Sequence, residues 1–370
     1  MADWFSTPLF RQFRYSIYVV FGILLILLAA CSSAGSANTG STPTPKPTPS
    51  PGPTPTPSPI PTPNVPAVSK VLTTYKGHSG PVISALWSPD GTRIASCGND
   101  GTVQVWTASD GKTVWNSSID RYAFALAWSP DGKKLVGGGS SGSLFILDAA
   151  NGHQLATYQG QGAFIEGLAW SPNGQFIAAG SQDDTVMIWD VTTGKSTLTY
   201  KGHSDAVAHV AWSPDGTKIV SASHDGTVQV WNAKDGHLLL TYKDHNAPVW
   251  QVAWSPDGTK IASGTGSAGA SGPVTDNNAA KVWNAATGQT LLSIPAASGQ
   301  VYALAWSHDG NRIASGDGQN VYVWDAASGK MALSYRGHTG DVFMLAWSPD
   351  DKYIASASTD GTVQVWQPQL

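Results

Sequence analysis

The stretch Trp212-Ser213-Pro214-Asp215-Gly216 decides the fold, because it and its near copies occur seven times in the chain. The copies begin at Trp87, Trp128, Trp170, Trp212, Trp254, Trp306 and Trp347. They follow one another at steps of 41 or 42 residues, apart from one step of 52 residues before Trp306. A repeat of this length cannot bury its apolar face alone, so the seven copies must pack against one another in an array.

The residues on either side of 212–216 predict four short strands in the fourth copy. An apolar run at 206–212 precedes the turn, in which proline presets φ and glycine suits the last corner. Further strands are predicted at 218–223, 227–231 and 238–242, with Asp-Gly turns before the last two. Four antiparallel strands in about 42 residues make one propeller blade. The sequence therefore predicts an all-β fold with seven blades.

The two ends of the repeat region complement each other. The last copy ends after its third strand, near Trp366, and only four residues follow. Residues 71–75, before the first copy, match the fourth-strand pattern of 238–242. We expect this opening strand to complete the last blade, which would remove an open sheet edge.

Several of these motifs resemble the WD40 repeat family. They are Gly202-His203, the run from Val228 to Asn232, and the Trp-Asp pairs at Trp189 and Trp324. The resemblance covers residues 70–370. It implies a seven-bladed WD40 propeller in which His, Ser, Asp and Trp of one blade form a hydrogen-bonded tetrad. Three copies fit the tetrad: His78, Ser96, Asp100 and Trp106; His203, Ser221, Asp225 and Trp231; and His338, Ser356, Asp360 and Trp366.

These repeated His and Asp residues are interpreted as structural, since an active site is needed once and not around a whole ring. The second copy has Ile119, Ser141 and Leu147 where His, Asp and Trp belong, and the sixth has Ala297 in place of His. We expect these two blades to depend on apolar packing and to be the least stable of the seven.

The resemblance also implies which residues face the mouth of the central channel. They lie four and six residues before the first tryptophan of each copy, and just before the turn aspartate. Aromatic and charged side chains collect at these positions, and such a surface resembles an interface hot spot. The predicted partner-binding residues are Tyr122, Phe124, Phe164, Glu166, His224, Trp250, Tyr302, Asp341 and Phe343. The alternative is that these rings pack on neighbouring loops and are mostly covered.

The fifth copy carries a ten-residue insertion in the loop 264–277, which lies on the same predicted face. Its glycine and serine content predicts mobility. It is either a lid over the mouth or a tolerated insertion.

Motifs for chemistry are scarce in the sequence. No phosphate loop or zinc helix occurs, and neither a cofactor nor a metal is predicted. A metal site made from His209 and His224 is disfavoured, and Cys97 reads as a small buried residue. The alternatives to a protein- or peptide-binding scaffold are a surface hydrolase using Glu166, Asp341, His224 and Asp276, and a purely structural envelope protein.

The charge of the repeat region argues against nucleic acid as a partner. The chain has 21 basic and 25 acidic residues, and residues 1–69 hold three of the former and one of the latter. Residues 70–370 therefore carry a net charge of −6, without the clustered Lys and Arg that duplex binding requires. We expect a monomeric propeller that binds an unknown protein or peptide.

The first 69 residues are predicted to contain an export signal followed by a spacer. Arg11 and Arg14 precede an apolar run at 17–30, typical of a signal peptide over 1–30. Leu28-Ala29-Ala30-Cys31 resembles the lipobox of bacterial lipoproteins, which implies lipidation of Cys31 and a membrane anchor outside the cytoplasm. An uncleaved single-pass anchor is the alternative. Residues 31–69 form a spacer, in which the alternate prolines of 42–66 predict an extended rod of roughly 75 Å.

Overall fold

The computed structural model describes residues 70–266, 280–296 and 300–369. These ranges contain 28 β-strands in seven four-stranded antiparallel sheets. The predicted all-β architecture with seven blades is confirmed. No helix in the described ranges has the length and apolar character that crossing a membrane requires.

The strands follow one another blade by blade. The opening strand is β1 (Lys70–Tyr75). Blade 1 holds β2 (Val82–Trp87), β3 (Arg93–Gly98), β4 (Thr102–Thr107) and β5 (Thr113–Ser118). Blade 2 holds β6 (Ala123–Trp128), β7 (Lys134–Gly139), β8 (Ser143–Asp148) and β9 (Gln154–Gln159). Blade 3 holds β10 (Ile165–Trp170), β11 (Phe176–Ser181), β12 (Val186–Asp190) and β13 (Lys195–Tyr200).

Blade 4 holds β14 (Val207–Trp212), β15 (Lys218–Ser223), β16 (Val228–Asn232) and β17 (Leu238–Tyr242). Blade 5 holds β18 (Val249–Trp254), β19 (Lys260–Thr265), β20 (Ala280–Asn284) and β21 (Thr290–Ile294). Blade 6 holds β22 (Ala303–Trp306), β23 (Arg312–Asp317), β24 (Asn320–Asp325) and β25 (Met331–Tyr335). Blade 7 adds β26 (Val342–Trp347), β27 (Ile354–Ser358) and β28 (Val363–Gln367) to β1.

The innermost strands close a ring. Each contacts the innermost strand of the next blade, and β26 of blade 7 contacts β2 of blade 1. The tryptophan that ends each innermost strand fastens this ring, because its indole N–H donates to a backbone carbonyl of the preceding blade. Trp128 donates to Leu86 at 3.2 Å, and Trp87 donates to Ala346 of the last blade at 3.2 Å. The remaining five tryptophans make the same bond at 3.2–3.3 Å.

The opening strand completes blade 7, as the sequence predicts. β1 pairs with β28 in antiparallel register, with Val71 opposite Trp366 and Tyr75 opposite Val363. It also reaches blade 1, where the Tyr75 ring stacks on Trp106 at 4.5 Å and its hydroxyl donates to Gln104 at 2.6 Å. The chain therefore holds its two terminal blades together through one strand.

The hydrophobic core lies between adjacent blades and not inside any one of them. One cluster joins Val103 and Val105 of blade 1 to Leu126 and Leu135 of blade 2. Similar clusters of buried side chains occupy the other junctions. No blade can bury its two apolar faces without its neighbours, which is the physical reason for a closed array.

Candidate functional site

A β-bulge marks the mouth-facing position of six innermost strands. The pairing with the second strand skips one residue there, four residues before the tryptophan. The skipped residues are Ile83, Phe124, Glu166, Ala208, Trp250 and Phe343. In blade 6 the corresponding residue, Tyr302, immediately precedes β22. A bulge leaves its residue outside the ladder and re-aims the side chain. The fold thus presents one side chain per blade at this level of the ring.

The aromatic side chains at this end meet in two groups. In blades 2 and 3, Phe124 lies 6.5 Å from Tyr122 and 5.6 Å from Phe164, measured between ring centroids. In blades 5 to 7, Tyr302 contacts Trp250 edge-on at 5.4 Å and stacks on Phe343 at 5.1 Å. These separations are those of favourable aromatic pairs. The rings therefore support one another across blade junctions.

A polar pair, Glu166 and His224, lies beside the second aromatic group. Gln182 donates to Glu166 Oε1 at 2.6 Å, and His224 Nε2 lies 4.0 Å from Glu166 Oε2. The His224 ring lies 4.3 Å from that of Trp250. Burial raises the pKa of the Glu166 carboxyl, and the nearby His224 and Gln182 oppose the rise without cancelling it.

Contacts thus join eight of the nine predicted residues at one end of the ring in two groups, and we call the nine residues the mouth cluster. The ninth, Asp341, lies two residues before Phe343, and burial together with the charge of Asp317 raises its pKa. His224 is buried, whereas the other eight are partly exposed. The rings are covered in part by one another and remain accessible in part.

The tetrad residues lie together in blades 1, 4 and 7. In blade 1, His78 contacts Asp100 at 2.9 Å and Ser96 at 2.8 Å, and Trp106 donates to Ser96 at 3.1 Å. The other two sets repeat these contacts at 2.7–3.3 Å: His203, Ser221, Asp225 and Trp231; and His338, Ser356, Asp360 and Trp366.

The tetrad aspartates are held ionised. Burial alone would raise the pKa of the Asp100 carboxyl, but the hydrogen bond and charge of His78 outweigh it and hold the pKa well below its usual range. Asp225 and Asp360 behave alike.

Blades 2 and 3 replace the tetrad differently. In blade 2, Ile119 and Leu147 are buried in an apolar cluster, and Asp120 accepts bonds from Ser140 and from the Ser141 backbone at 2.8 Å. In blade 3, Gln161 and Ala179 occupy the histidine and serine positions. Gln161 donates to the Ala179 carbonyl at 3.1 Å, which leaves its Oε1 and Trp189 Nε1 without a partner among the described residues. The substitutions in blade 2 are noted in the sequence above, whereas Asp120 and the substitutions in blade 3 are not.

The remaining candidates offer little chemistry. The described residues contain no group of three or more His, Cys, Asp or Glu side chains that could hold a metal ion. His209 is partly exposed on β14, and Cys97 is buried on β3, where burial raises its pKa. Cys31, Asp276, Ala297 and all of the loop 264–277 beyond Gly266 lie outside the described residues.

A cleft also lies at the junction of the first and last blades. A cleft of about 470 Å³ opens between blades 7 and 1, beside the β1–β2 connection. Its lining residues are Lys76, His78, Ser79, Gly80, Pro81, Thr359, Asp360, Gly361 and Thr362. It forms where the first and last copies meet.

Comparison with known families covers most of the ring. The profile of the WD domain, G-beta repeat, matches residues 236–284, 288–325 and 329–367. The profile of the echinoderm microtubule-associated protein second beta-propeller matches residues 87–241.

Curated proteins match over about one repeat. The probable cytosolic iron-sulfur protein assembly protein Ciao1 of Anopheles gambiae is 51% identical over 41 residues, 11% of this chain. Ribosome biogenesis protein erb1 of Botryotinia fuckeliana is 43% identical over 54 residues, 15% of this chain. Serine-threonine kinase receptor-associated protein of Gallus gallus is 48% identical over 42 residues, 11% of this chain. The matches span only 12%, 7% and 12% of these proteins' own lengths.

Proposed function

Because the chain is a seven-bladed WD40-repeat propeller, we propose that it is a scaffold that binds a protein or peptide partner on the mouth cluster and performs no chemistry. One observation carries the proposal: contacts between mouth residues cross five consecutive junctions, from Phe124 in blade 2 to Phe343 in blade 7. Partly exposed aromatic rings held in place by one another lose little entropy on binding, which is the property of interface anchors.

The names of the matched relatives refer to assembly, biogenesis and receptor association, which agrees with a scaffold. The matches span single repeats, so they support the class of function and not a partner.

The test is chemical crosslinking in cells that produce the full chain, followed by mass spectrometry. Trp250→Ala with Phe343→Ala removes one anchor from each side of Tyr302. The matched control is Phe176→Ala with Tyr353→Ala, two partly exposed rings that pack on Trp212 and Trp87 at the opposite end of the sheets. We expect the crosslinked partner to persist in the control and to disappear in the mouth variant. Equal recovery from both variants would refute the mouth cluster as the binding face.

We also propose that the propeller works outside the cytoplasm, tethered by a lipid on Cys31. The sequence Leu28-Ala29-Ala30-Cys31 and the proline-rich spacer support this placement. Metabolic labelling with a radioactive fatty acid tests it: the chain should take up label, and Cys31→Ala should not. Label on the Cys31→Ala variant would contradict the anchor and leave the binding proposal untouched.

A further inference from the structure

Six of the seven blade junctions share one contact at the end of the ring opposite the mouth. The proline of the Trp-Ser-Pro-Asp-Gly turn faces the glycine of the same turn in the next blade. A β-carbon placed on that glycine would lie 3.5–3.8 Å from the proline Cδ. The six pairs are Pro89 and Gly132, Pro130 and Gly174, Pro172 and Gly216, Pro214 and Gly258, Pro256 and Gly310, and Pro349 and Gly91.

The junction of blades 6 and 7 departs from this pattern on both sides. Blade 6 has His308 where the other copies have proline, and blade 7 has Asp351 where the others have glycine. Asp351 keeps the left-handed backbone of the glycines, with φ of 57°. That conformation costs more for a residue with a β-carbon than for glycine, although aspartate adopts it more readily than most residues, as Asp184 also does with φ of 68°.

The two replacements bond directly to each other. Asp351 Oδ1 accepts from the His308 backbone N–H at 2.7 Å and contacts His308 Nδ1 at 2.9 Å. Its Oδ2 accepts from the Asp309 N–H at 2.9 Å. The first bond exists only because His308 is not proline, which has no N–H to donate. If Asp351 faced a proline, the bond from the His308 backbone N–H would be lost. If His308 faced a glycine, no carboxylate would accept its bonds.

We propose that His308 and Asp351 form a latch that fixes blade 6 against blade 7 and distinguishes this junction from the six others. In a ring of near-identical blades, most junction contacts are interchangeable, and a unique matched pair opposes pairing of the wrong neighbours. The latch also lies in the blade that β1 completes, where the ring is closed by hydrogen bonds between strands and not by a continuous chain.

The test is a double-mutant cycle in the full chain, with Asp351→Gly, His308→Pro and both together. Each single variant should lower the thermal midpoint. Asp351→Gly should also speed exchange of the Asp309 amide about fivefold, the loss expected for one hydrogen bond. The double variant restores the Pro–Gly contact of the other junctions, so its midpoint should exceed that of either single variant.

A matched variant separates the latch from a general effect of aspartate in the turn. Gly310→Asp places the same side chain in the same backbone region, φ of 72°, but facing Pro256, which has no N–H. It should lower the midpoint, because only the Asp257 N–H, the counterpart of the Asp309 N–H, remains to donate to the new carboxylate. Single effects that simply add in the double variant, or an Asp351→Gly variant more stable than the parent, would overturn the latch.

Discussion

We expect His209 to make the stability of this propeller sensitive to mild acid. Its side chain is partly exposed on β14 of blade 4, but its Nδ1 atom is enclosed, and desolvation lowers its pKa to about 4. The unfolded chain takes up a proton near pH 6.5, well before the folded chain does. The stabilising contribution is therefore complete above about pH 6.5 and falls with pH, by up to about 1.4 kcal/mol per pH unit for one proton, until the folded pKa is reached.

His209→Gln removes this group, so the urea midpoint of the variant should fall less steeply than that of the parent between pH 6.5 and 4.5. His245, whose pKa burial lowers to about 3, remains in both and contributes the residual slope. The control is His237→Gln, an exposed histidine in the same blade, which should follow the parent curve. Parallel curves for His209→Gln and the parent would show that His209 does not titrate with unfolding.

At the scale of a strand, β11 of blade 3 allows a test of how much the tetrad hydrogen bonds contribute to the stability of the fold. Ala179→Ser adds a hydroxyl that can accept from Trp189 Nε1 and donate to Gln161 Oε1, both without partners among the described residues. Two new buried hydrogen bonds should stabilise the fold by about 1–2 kcal/mol and raise the thermal midpoint by a few degrees. Ala178→Ser, one residue away on the opposite face of β11, buries a hydroxyl without these partners and should lower the midpoint. A drop in both variants would contradict the argument.

The positions of the strands can be predicted from the sequence more accurately than the contacts of the mouth cluster. Predicted strands 218–223 and 238–242 coincide with β15 and β17, because turn residues and alternating burial fix their ends. The bulge at Glu166 leaves no such trace, since Ile, Phe, Glu, Ala and Trp all occupy that position in different copies. Nor does spacing reveal that His224 packs on Trp250, because that contact depends on the rotation between neighbouring blades.

Closure of the propeller depends on β1. Comparing Tyr75 of β1 with the equivalent Tyr200 of β13 distinguishes the contribution of side-chain packing from that of closure. Tyr75 stacks on Trp106 at 4.5 Å, and Tyr200 stacks on Trp231 at 4.4 Å. Each hydroxyl bonds a glutamine, Gln104 or Gln229. Truncating either ring to alanine removes nearly the same contact, at a cost of about 3 kcal/mol.

The consequences should differ, because β13, which carries Tyr200, continues in sequence from β12 of its own blade, whereas β1 joins β28 with no chain connection between the two strands. Tyr75→Ala weakens the strand that covers β28, so detachment of β1 would expose a sheet edge. We expect Tyr75→Ala to lower the thermal midpoint more than Tyr200→Ala does. It should also speed amide exchange in β28 and cause aggregation that grows with protein concentration. The two variants could instead have the same thermal midpoint, with the β28 amides still protected. In that case β1 adds nothing to closure beyond the stacking of Tyr75, and the propeller is closed by its seven tryptophan hydrogen bonds.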